Sequence, residues 1–455
     1  MSSEEKSTPV LIIGGGIAGM SAGHFLSKVG IPFLLLEKSK RLGGAIRSPK
    51  ENSYLMEAGP FSFLPKARVL PQLVKDWGIL DQMVEAPEDI AKNRFVLKNG
   101  ELFRVPLKPS DILMSKLLSW NEKLRLFLEP FAKEAPAYEE TVAEFVKRRA
   151  GKGVLENMIT PFVSGIVAGD SEKLSMSAMF PLFVDLERQY GSLIKAFRKR
   201  KGKKSKSTLF SFKEGMETLP KAFAKKYQTQ ISTESEAVDL EKNPEGFYLT
   251  WRRKGELKTD KVRSILLATH AYVSADLVKV LNPILSRELE TIHYASLTVV
   301  HVVYNKDSIR HPLNGFGYLS AEKSDNPVLG SIFASSIFPG RAPSNETVLS
   351  FFVGGEKYPT VVQKSDEELC QMVLNEGKRV LGFSGEPKYF WLQRYDKAIP
   401  QYRVGHLEKI RKIIQEVRKT NGLYLAGNYF GGVSLEDTAR CSEKVVEFIL
   451  HDLTL

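Results

Sequence analysis

A glycine-rich turn between an apolar strand and a helix constrains this 455-residue chain more than any other segment. The segment Val10–Gly19 reads V-L-I-I-G-G-G-I-A-G, with glycines spaced as in a dinucleotide-binding βαβ unit. Gly14 permits the tight turn, Gly16 lets the backbone approach a pyrophosphate, and Gly19 lets the helix pack closely on the strand. Glu37 closes the next apolar run, where it would accept hydrogen bonds from a ribose. The pattern predicts a dinucleotide whose diphosphate faces the helix N-terminus.

The residues that follow Glu37 help to distinguish between FAD and NAD as the cofactor. Arg41 and the pair Gly43–Gly44 follow closely, and a short E-A-G-P segment at 57–60 adds Gly59 and Pro60. In a nicotinamide enzyme the chain usually passes straight into a crossover helix. A second close approach of the backbone is expected if a larger cofactor runs past the pyrophosphate. The pattern favours FAD over NAD, with ordinary turn glycines as the alternative.

Two later segments are predicted to return to this unit. Ser264–Ala268 is an apolar strand that ends in a small-residue turn, and Gly422–Asn428 is a second buried strand that opens onto glycine. A last helix is predicted from about Glu436 to His451. The strand ends would bring backbone close to the flavin, and a tightly turning buried strand is the alternative interpretation.

Length and composition describe a globular protein of about three domain-sized units. Cys370 and Cys441 are the two cysteines, which give neither a disulfide framework nor metal-ligand spacing, so a reducing compartment and no metal are predicted. The start, Met1–Lys6, is acidic and polar, unlike a secretory leader or a transit peptide. No transmembrane helix is predicted, and a cytoplasmic location in a bacterium is expected.

The formal charge of +12 is concentrated in one place. Arg198–Lys206 holds seven basic residues and no acid. The run is compatible with a solvated loop, a contact with anionic lipid, or a nucleic-acid patch. No nucleic-acid-binding motif accompanies it, so no nucleic-acid partner is expected.

The segment between Lys108 and Lys201 has helical periodicity and large apolar side chains. Its apolar stripe consists of Leu113, Leu117, Trp120, Leu124, Phe127 and Phe131. Such a stripe usually packs in a core. Next to a basic loop, it would also suit a helical lobe that rests on a membrane surface without crossing it.

The segment from about Glu288 to Gln401 is predicted to form strands again. Ile292–Tyr304 and Thr347–Val353 are long and rich in β-branched or aromatic residues, and Asn314–Tyr318 is a turn between extended stretches. We expect a mixed sheet packed over the flavin.

With these residues in view, the chain resembles the flavin-dependent protoporphyrinogen oxidase family along nearly its whole length. Three segments near the start are family-like, namely Gly14–Ala22, Leu36–Gly44 and Glu57–Phe63, and the first of them occurs in many flavin amine oxidase relatives. More specific are P-F-V-S-G-I-V-A-G-D-S-E-K-L-S-M-S-A-M-F at Pro161–Phe180 and I-P-Q-Y-R-V-G-H at Ile399–His406. A-G-N-Y-F-G-G-V-S at Ala426–Ser434 also matches.

The resemblance implies an α/β (mixed α+β) fold with three interleaved parts. A Rossmann-like FAD-binding domain would comprise residues 1–90, 206–287 and 416–455. A helical membrane-associated lobe would occupy 91–205, and a mixed-sheet substrate domain 288–415. The reaction implied is the six-electron oxidation of protoporphyrinogen IX to protoporphyrin IX in haem biosynthesis, with FAD as hydride acceptor and oxygen restoring the flavin to give hydrogen peroxide.

The pattern and the resemblance together predict the site residues. Cofactor contacts are expected from Gly14, Gly16, Ile17, Ala18, Gly19, Glu37, Lys38, Arg41, Gly43, Gly44, Gly59, Pro60, Val238, Ala268, Thr269, Gly427, Asn428 and Val433. Substrate contacts implied by the resemblance are Arg94 on a propionate, and Phe316, Gly317, Leu319 and Phe352 along the tetrapyrrole pocket. For Arg94 a surface salt bridge is the alternative, and for the others plain sheet core. No catalytic residue beyond FAD is expected.

Several alternatives stay open at this point. Coproporphyrinogen III could replace protoporphyrinogen IX, and an amine oxidase or carotenoid desaturase would share the first glycine motifs. A non-catalytic membrane-bound flavoprotein is a rival of another class, and a homodimer is allowed. The final helix departs from the family pattern, because Glu436 stands where the family more often has small residues.

Overall fold

The computed structural model describes residues 10–64, 68–199, 209–322 and 326–454. Its strands are β1 Val10–Ile13, β2 Phe33–Leu36, β3 Lys50–Glu51, β4 Tyr54–Leu55, β5 Met83–Glu85, β6 Arg94–Lys98, β7 Glu101–Arg104, β8 Phe210–Phe212, β9 Ile231–Ser232, β10 Ser235–Asn243, β11 Gly246–Arg253, β12 Glu256–Val262, β13 Ser264–Leu267, β14 Tyr294–Asn305, β15 Gly317–Ser320, β16 Val328–Ile332, β17 Glu346–Gly354, β18 Tyr389–Pro400 and β19 Leu423–Leu425.

The α-helices alternate with these strands or cluster between residues 109 and 199. They are α1 Ile17–Lys28, α2 Val69–Asp76, α3 Glu88–Lys92, α4 Pro109–Met114, α5 Trp120–Phe127, α6 Val142–Arg149, α7 Lys152–Val154, α8 Thr160–Val167, α9 Met176–Met179, α10 Pro181–Tyr190, α11 Leu193–Lys199, α12 Thr218–Lys226, α13 Ala271–Val278, α14 Pro283–Glu290, α15 Ala334–Ile337, α16 Asp366–Val380, α17 His406–Arg418 and α18 Leu435–Thr454. A π-helical turn, Leu155–Ile159, joins α7 to α8.

A five-stranded parallel sheet carries the first glycine turn. Its order is β19-β13-β1-β2-β9, so the chain leaves this sheet and returns to it twice. The strands are continuously apolar because both faces are covered. Residues of α1, α2, α12 and α18 pack on one face, and residues of α13, α14, α17 and the antiparallel sheet β10-β11-β12 pack on the other.

The second large sheet has seven strands, in the order β18-β14-β17-β16-β15-β6-β7. It is mixed, because β15 runs parallel to β6 while the other described pairs are antiparallel. One face packs on α16, where Val300 and Phe351 join Leu369 and Val373 in one core cluster. Strands β6 and β7 of this sheet lie in the segment 91–205, which is predicted as a helical lobe. The cluster of helices in that segment begins at α4.

The helical region does not bury the predicted apolar stripe. Of its six residues Leu117 alone is buried, whereas Trp120 is 71% exposed and Phe131 84% exposed. The expectation of core packing is wrong, because α4 and α5 are separate short helices rather than one continuous helix. Ser119 caps the second one by accepting a hydrogen bond from the Glu122 N–H. The break interrupts the helical register, so the stripe faces solvent.

The mixed α/β architecture predicted from the sequence is confirmed at the level of its sheets and helices. Among the described residues, no helix combines the length and the apolar character needed to cross a bilayer. Most of the basic run at 198–206 lies outside the described residues, which end at Lys199 and begin again at Leu209.

Candidate cofactor and substrate site

Four parallel strands end at one edge of the five-stranded sheet, and each is followed by predicted cofactor residues. Gly14 follows β1 and donates its N–H to the Leu36 carbonyl at 2.8 Å. Ala268 follows β13 and donates to the Ile13 carbonyl at 2.8 Å. Carboxyl ends of parallel strands are where open α/β sheets bind ligands. The predicted candidates are thus brought to one edge by the parallel pairing.

The first turn leaves an open groove at the start of α1. Gly14 has φ +107°, and a Cβ there would lie 2.7 Å from the Ala268 carbonyl oxygen, so a side chain is excluded. A Cβ on Gly19 would overlap the Gly14 carbonyl, which shows how closely α1 packs on the turn. A Cβ on Gly16 would meet no atom within 4 Å. Gly16 therefore borders open space, into which the first-turn N–H groups of Ile17 and Ala18 can donate.

The second glycine segment lies against the first. Gly43 donates its N–H to the Gly15 carbonyl at 2.8 Å, and a Cβ on Gly44 would lie 3.6 Å from the Gly16 Cα. Arg41 holds this loop, because its guanidinium donates to the carbonyls of Leu42 and Ile46 at 3.0 Å and of Gly44 at 2.8 Å. The structure thus gives Arg41 a bracing role in the cofactor loop.

Glu37 is positioned by backbone donors at the end of β2. Its carboxylate accepts the Gly15 N–H and the Ser39 N–H, each at 2.8 Å. An ionised carboxylate has about four lone-pair sites, so two remain for ribose hydroxyls. Lys38 is exposed and lies 3.7 Å from Glu236. Val238 is 40% exposed beside a register irregularity of β10.

The remaining cofactor candidates also cluster near these strand ends. A Cβ on Gly59 would overlap the Ala45 carbonyl, so the turn before Pro60 packs on the second glycine loop. The Thr269 hydroxyl lies 2.8 Å from the Ser274 hydroxyl at the start of α13. Val433 packs on the core cluster of the helical region. The open groove, the free N–H groups and the acid fit an FAD molecule, and the individual contacts stay predictions.

Beneath Gly59 and Pro60 lies a fully buried ion pair that the sequence reasoning missed. The Glu57 carboxylate lies 2.8 Å from the Arg341 guanidinium and accepts the Ser48 hydroxyl at 2.5 Å and the Met216 N–H at 3.1 Å. Burial raises the pKa of Glu57 and lowers the pKa of Arg341, and the opposite charge of each partner counteracts this. An acid within the apolar segment 54–63 is the sequence signal that could have indicated it.

His301 links this turn to the seven-stranded sheet. Its Nε2 lies 3.1 Å from the Glu57 carbonyl oxygen and its Nδ1 lies 2.9 Å from the Ser350 hydroxyl. Since a carbonyl can only accept, Nε2 carries the proton and Nδ1 accepts from the hydroxyl. Burial lowers the pKa of His301 to about 4, so the imidazole is neutral near pH 7.

The sheet places four predicted substrate residues on one face. Arg94 pairs with Gly317, Leu319 with Gly330, and Gly330 with Phe352 in adjacent strands. Residues directly opposite each other on neighbouring strands point to the same side. The row through Arg94 and Gly317 continues through Ile332 and Ser350 to His301, which bonds the Glu57 carbonyl. This face therefore points toward the candidate cofactor groove.

Arg94 is free to bind an anion. Its guanidinium carbon lies 4.8 Å from the centre of the Phe316 ring, and its Nε donates to the Ala91 carbonyl at 3.2 Å. Among the described residues no carboxylate forms an ion pair with it, which argues against the surface salt bridge. Helix α8 covers the same face, because a Cβ on Gly165 would overlap the Leu319 side chain.

The motif Ile399–His406 clamps the turn that follows β19. The Tyr402 hydroxyl donates to the Asn428 carbonyl and accepts the Gly432 N–H at 2.8 Å. His406 Nε2 lies 2.9 Å from the Tyr429 carbonyl, and its ring stacks on the Tyr402 ring with centroids 4.2 Å apart. These residues hold the segment that begins at Gly427, a role that the sequence reasoning did not assign.

The same motif contacts the other specific segment, Pro161–Phe180. Gln401 Nε2 donates to the Val167 carbonyl at 2.8 Å, and the Ser175 N–H donates to the Tyr402 carbonyl at 2.8 Å. The two segments that carry most of the resemblance are therefore neighbours in space.

The unusual acid of the last helix turns away from the groove. The Glu436 carboxylate accepts the N–H groups of Arg68, Val69 and Leu70 at 3.0, 3.1 and 2.7 Å. These are donors at the start of α2, where a negative charge also matches the helix dipole. Glu436 thus caps a neighbouring helix.

Comparison with known proteins gives one consistent result. The family described as flavin containing amine oxidoreductase matches residues 17–442. Protoporphyrinogen oxidase 1, chloroplastic, of Spinacia oleracea is 33% identical over 472 residues, which cover 96% of this chain and 82% of that protein. Coproporphyrinogen III oxidase of Bacillus subtilis (strain 168) is 29% identical over 452 residues, covering 94% of this chain and 95% of that protein.

Solved structures are similar over the whole chain. A provisionally named protoporphyrinogen oxidase from Exiguobacterium sp. 255-15 superposes with a TM-score of 0.85 at 25% identity, covering 100% of both chains. Cyclohexylamine oxidase from Brevibacterium oxydans IH-35A has a TM-score of 0.71 at 17% identity, covering 99% of this chain and 100% of that one. The second likeness shows the fold alone.

Proposed function

Because this chain belongs to the flavin-containing amine oxidoreductase family, we propose that it oxidises a porphyrinogen to a porphyrin, with protoporphyrinogen IX as the substrate. It is an FAD-dependent oxidoreductase, and relatives similar over nearly its full length are named for protoporphyrinogen and coproporphyrinogen III. The observation that carries the proposal is the unpaired Arg94 beside Phe316, on the sheet face that points toward the cofactor groove.

The face suits a large flat ring with acidic side chains. A guanidinium pairs with a carboxylate through two parallel hydrogen bonds, so Arg94 would fix a propionate and thereby the orientation of the macrocycle. Gly330 leaves a position without a side chain between Leu319 and Phe352, and Gly317 leaves another beside Arg94, so the ring would lie over this part of the sheet.

Orientation and exclusion of water would be the main contributions of these residues. When bound, FAD supplies a two-electron acceptor, so a six-electron oxidation takes three rounds. The predicted pocket residues include no group that titrates near neutrality. They would hold a meso carbon of the substrate against the flavin and keep water away from it.

Anaerobic mixing of the FAD-loaded protein with protoporphyrinogen IX tests the proposal. We expect the flavin absorbance to bleach and porphyrin fluorescence to appear. In Arg94→Ala, loss of a charge-assisted pair should lower kcat/KM about tenfold or more. Arg104→Ala, on the neighbouring strand β7, is the matched control. Unchanged kinetics in Arg94→Ala would remove the propionate role.

Three other substrates or roles are distinguished by the same preparation. Coproporphyrinogen III is the second candidate, because the Bacillus subtilis relative is matched over 95% of its length, and kcat/KM on both porphyrinogens decides between them. Peroxide release with amines would indicate an amine oxidase. A flavin that no porphyrinogen bleaches would indicate a non-catalytic flavoprotein.

Oxygen is the proposed acceptor that restores the flavin. Admitting air to the bleached protein should return the flavin spectrum and release hydrogen peroxide. If the flavin stays reduced in air, a different acceptor serves this enzyme. The scheme is also compatible with a homodimer. Measuring the molecular mass of the protein in solution tests that oligomeric state.

Peripheral attachment to a membrane surface is proposed for the helical region. Met114, Trp120 and Phe131 are exposed by 86%, 71% and 84%, which is unusual for large apolar side chains. We expect Trp120→Glu to weaken sedimentation with anionic liposomes, and Tyr248→Glu, on the exposed side of β11, to leave it unchanged. Equal sedimentation of the wild type and both variants would refute attachment through this surface. The cytoplasmic location stays a prediction.

A further inference from the structure

A groove of about 1040 Å³ runs along the open edge of the five-stranded sheet, away from the substrate face. Strand β19 is the last strand of that sheet, and the groove lies beside it between α17 and α18. The turn between β10 and β11 forms one boundary, and the turn at Phe430–Gly431 also contributes. Its volume is at the upper end of small-molecule sites, which occupy about 300–1,000 Å³.

The walls of the groove are apolar. Leu423 and Leu425 are buried and belong to its lining, whereas Ile414 on α17 is 39% exposed and Phe448 on α18 is 57% exposed. Two large apolar side chains on facing helices, both left partly open to solvent, would gain free energy by covering an apolar ligand.

The charges along the groove leave an excess of positive charge. Each of its acids already has a partner: Asp437 pairs with Arg440 at 2.6 Å, Asp452 accepts the Tyr424 hydroxyl at 2.8 Å, and Glu245 pairs with Lys261.

Three cations in the lining are free. The side chains of Arg263, Arg418 and Lys444 make no hydrogen bond or ion pair with another side chain or with the backbone in the part of the chain that the structure describes. Free cations beside apolar walls are the arrangement that binds a carboxylate carried on an apolar body.

We propose that this groove binds an organic carboxylate with a large apolar body, its carboxylate attracted by the combined positive charge of Arg263, Arg418 and Lys444. Two sources share that chemistry: a fatty acid, and a tetrapyrrole carboxylate such as the product of the proposed reaction. The fatty-acid arm is independent of the proposed function, and only the tetrapyrrole arm rests on it.

Calorimetric titration of the FAD-loaded protein with decanoate and with coproporphyrin III tests the site. At least one probe should bind, and Arg263→Glu and Lys444→Glu should each weaken its binding about tenfold. Phe448→Ser should weaken it similarly by removing apolar contact. Lys412→Glu, on α17 but outside the groove lining, is the matched charge control and should have no effect. Unchanged flavin absorbance and melting temperature verify that each variant is folded.

The proposal is overturned if neither probe binds, if the groove variants bind as the wild type does, or if decan-1-ol binds as tightly as decanoate. Arg94→Ala separates the two sites. Coproporphyrin III binding that is lost in Arg94→Ala but kept in Arg263→Glu belongs to the substrate face, and in that case the tetrapyrrole arm fails while the proposed function stands. Decanoate binding should be the same in Arg94→Ala and in the wild type.

Discussion

Replacing His301 by glutamine should remove a pH-dependent part of the folding stability. The imidazole is fully buried between the Glu57 carbonyl and the Ser350 hydroxyl, and burial lowers its pKa from 6.5 to about 4. Glutamine can donate to the same carbonyl and accept from the same hydroxyl, but it does not titrate.

The sign and size follow from the two pKa values. Between pH 6.5 and pH 4 the unfolded chain binds a proton at this histidine and the folded protein does not, so the free energy of unfolding falls as the pH falls. The loss is negligible at pH 7.5, about 2 kcal/mol at pH 5.0 and about 3 kcal/mol below pH 4. Other acid-sensitive groups contribute in both proteins, and they cancel in the difference.

Urea unfolding at pH 7.5 and pH 5.0 measures this difference. The stability advantage of the wild type over His301→Gln should shrink by about 2 kcal/mol between the two pH values. Val300→Ala, a buried substitution on the same strand that removes no titratable group, is the control, and its destabilisation should be the same at both pH values. A wild-type advantage that is the same at both pH values would refute the buried neutral imidazole.

Three further substitutions test the candidate cofactor groove and the buried contacts around it. Gly16→Val should abolish FAD uptake, because its side chain would enter the open space beside α1; retained yellow colour would contradict this. Tyr402→Phe leaves the Gly432 N–H without its acceptor and should lower the free energy of unfolding by about 1–3 kcal/mol in urea titrations. Arg341→Leu leaves a buried carboxylate and should cost about 3–5 kcal/mol, most of which Glu57→Gln in the same chain should restore.

The cofactor unit could be predicted from the sequence because its signals are local. The strand, the turn and the helix of Val10–Lys28 follow one another directly, and Glu37 ends the adjoining strand. Glycine at a tight turn is required by backbone geometry that a short segment already defines. The later strands were placed within three residues of their observed bounds, since continuous apolar runs indicate buried parallel strands.

Other features depended on contacts that no local pattern encodes. The stripe at 113–131 has helical spacing, yet it is exposed, because two separately capped helices break the register. The placement of Arg94 beside Gly317 comes from parallel pairing between strands more than 200 residues apart in the chain, as its register shows. Sequence spacing alone predicts neither the partner strand nor the shared face.

The sequence by itself determined the cofactor class, the strand-turn-helix that receives it and the family likeness, since each depends on residue types at short separations. Only the tertiary structure decided that Glu57, Arg341 and His301 form one buried connection, and that Tyr402 and His406 hold the last glycine turn. The physical reason is that a buried polar group must find a partner, and the partner is chosen by how distant strands and helices pack.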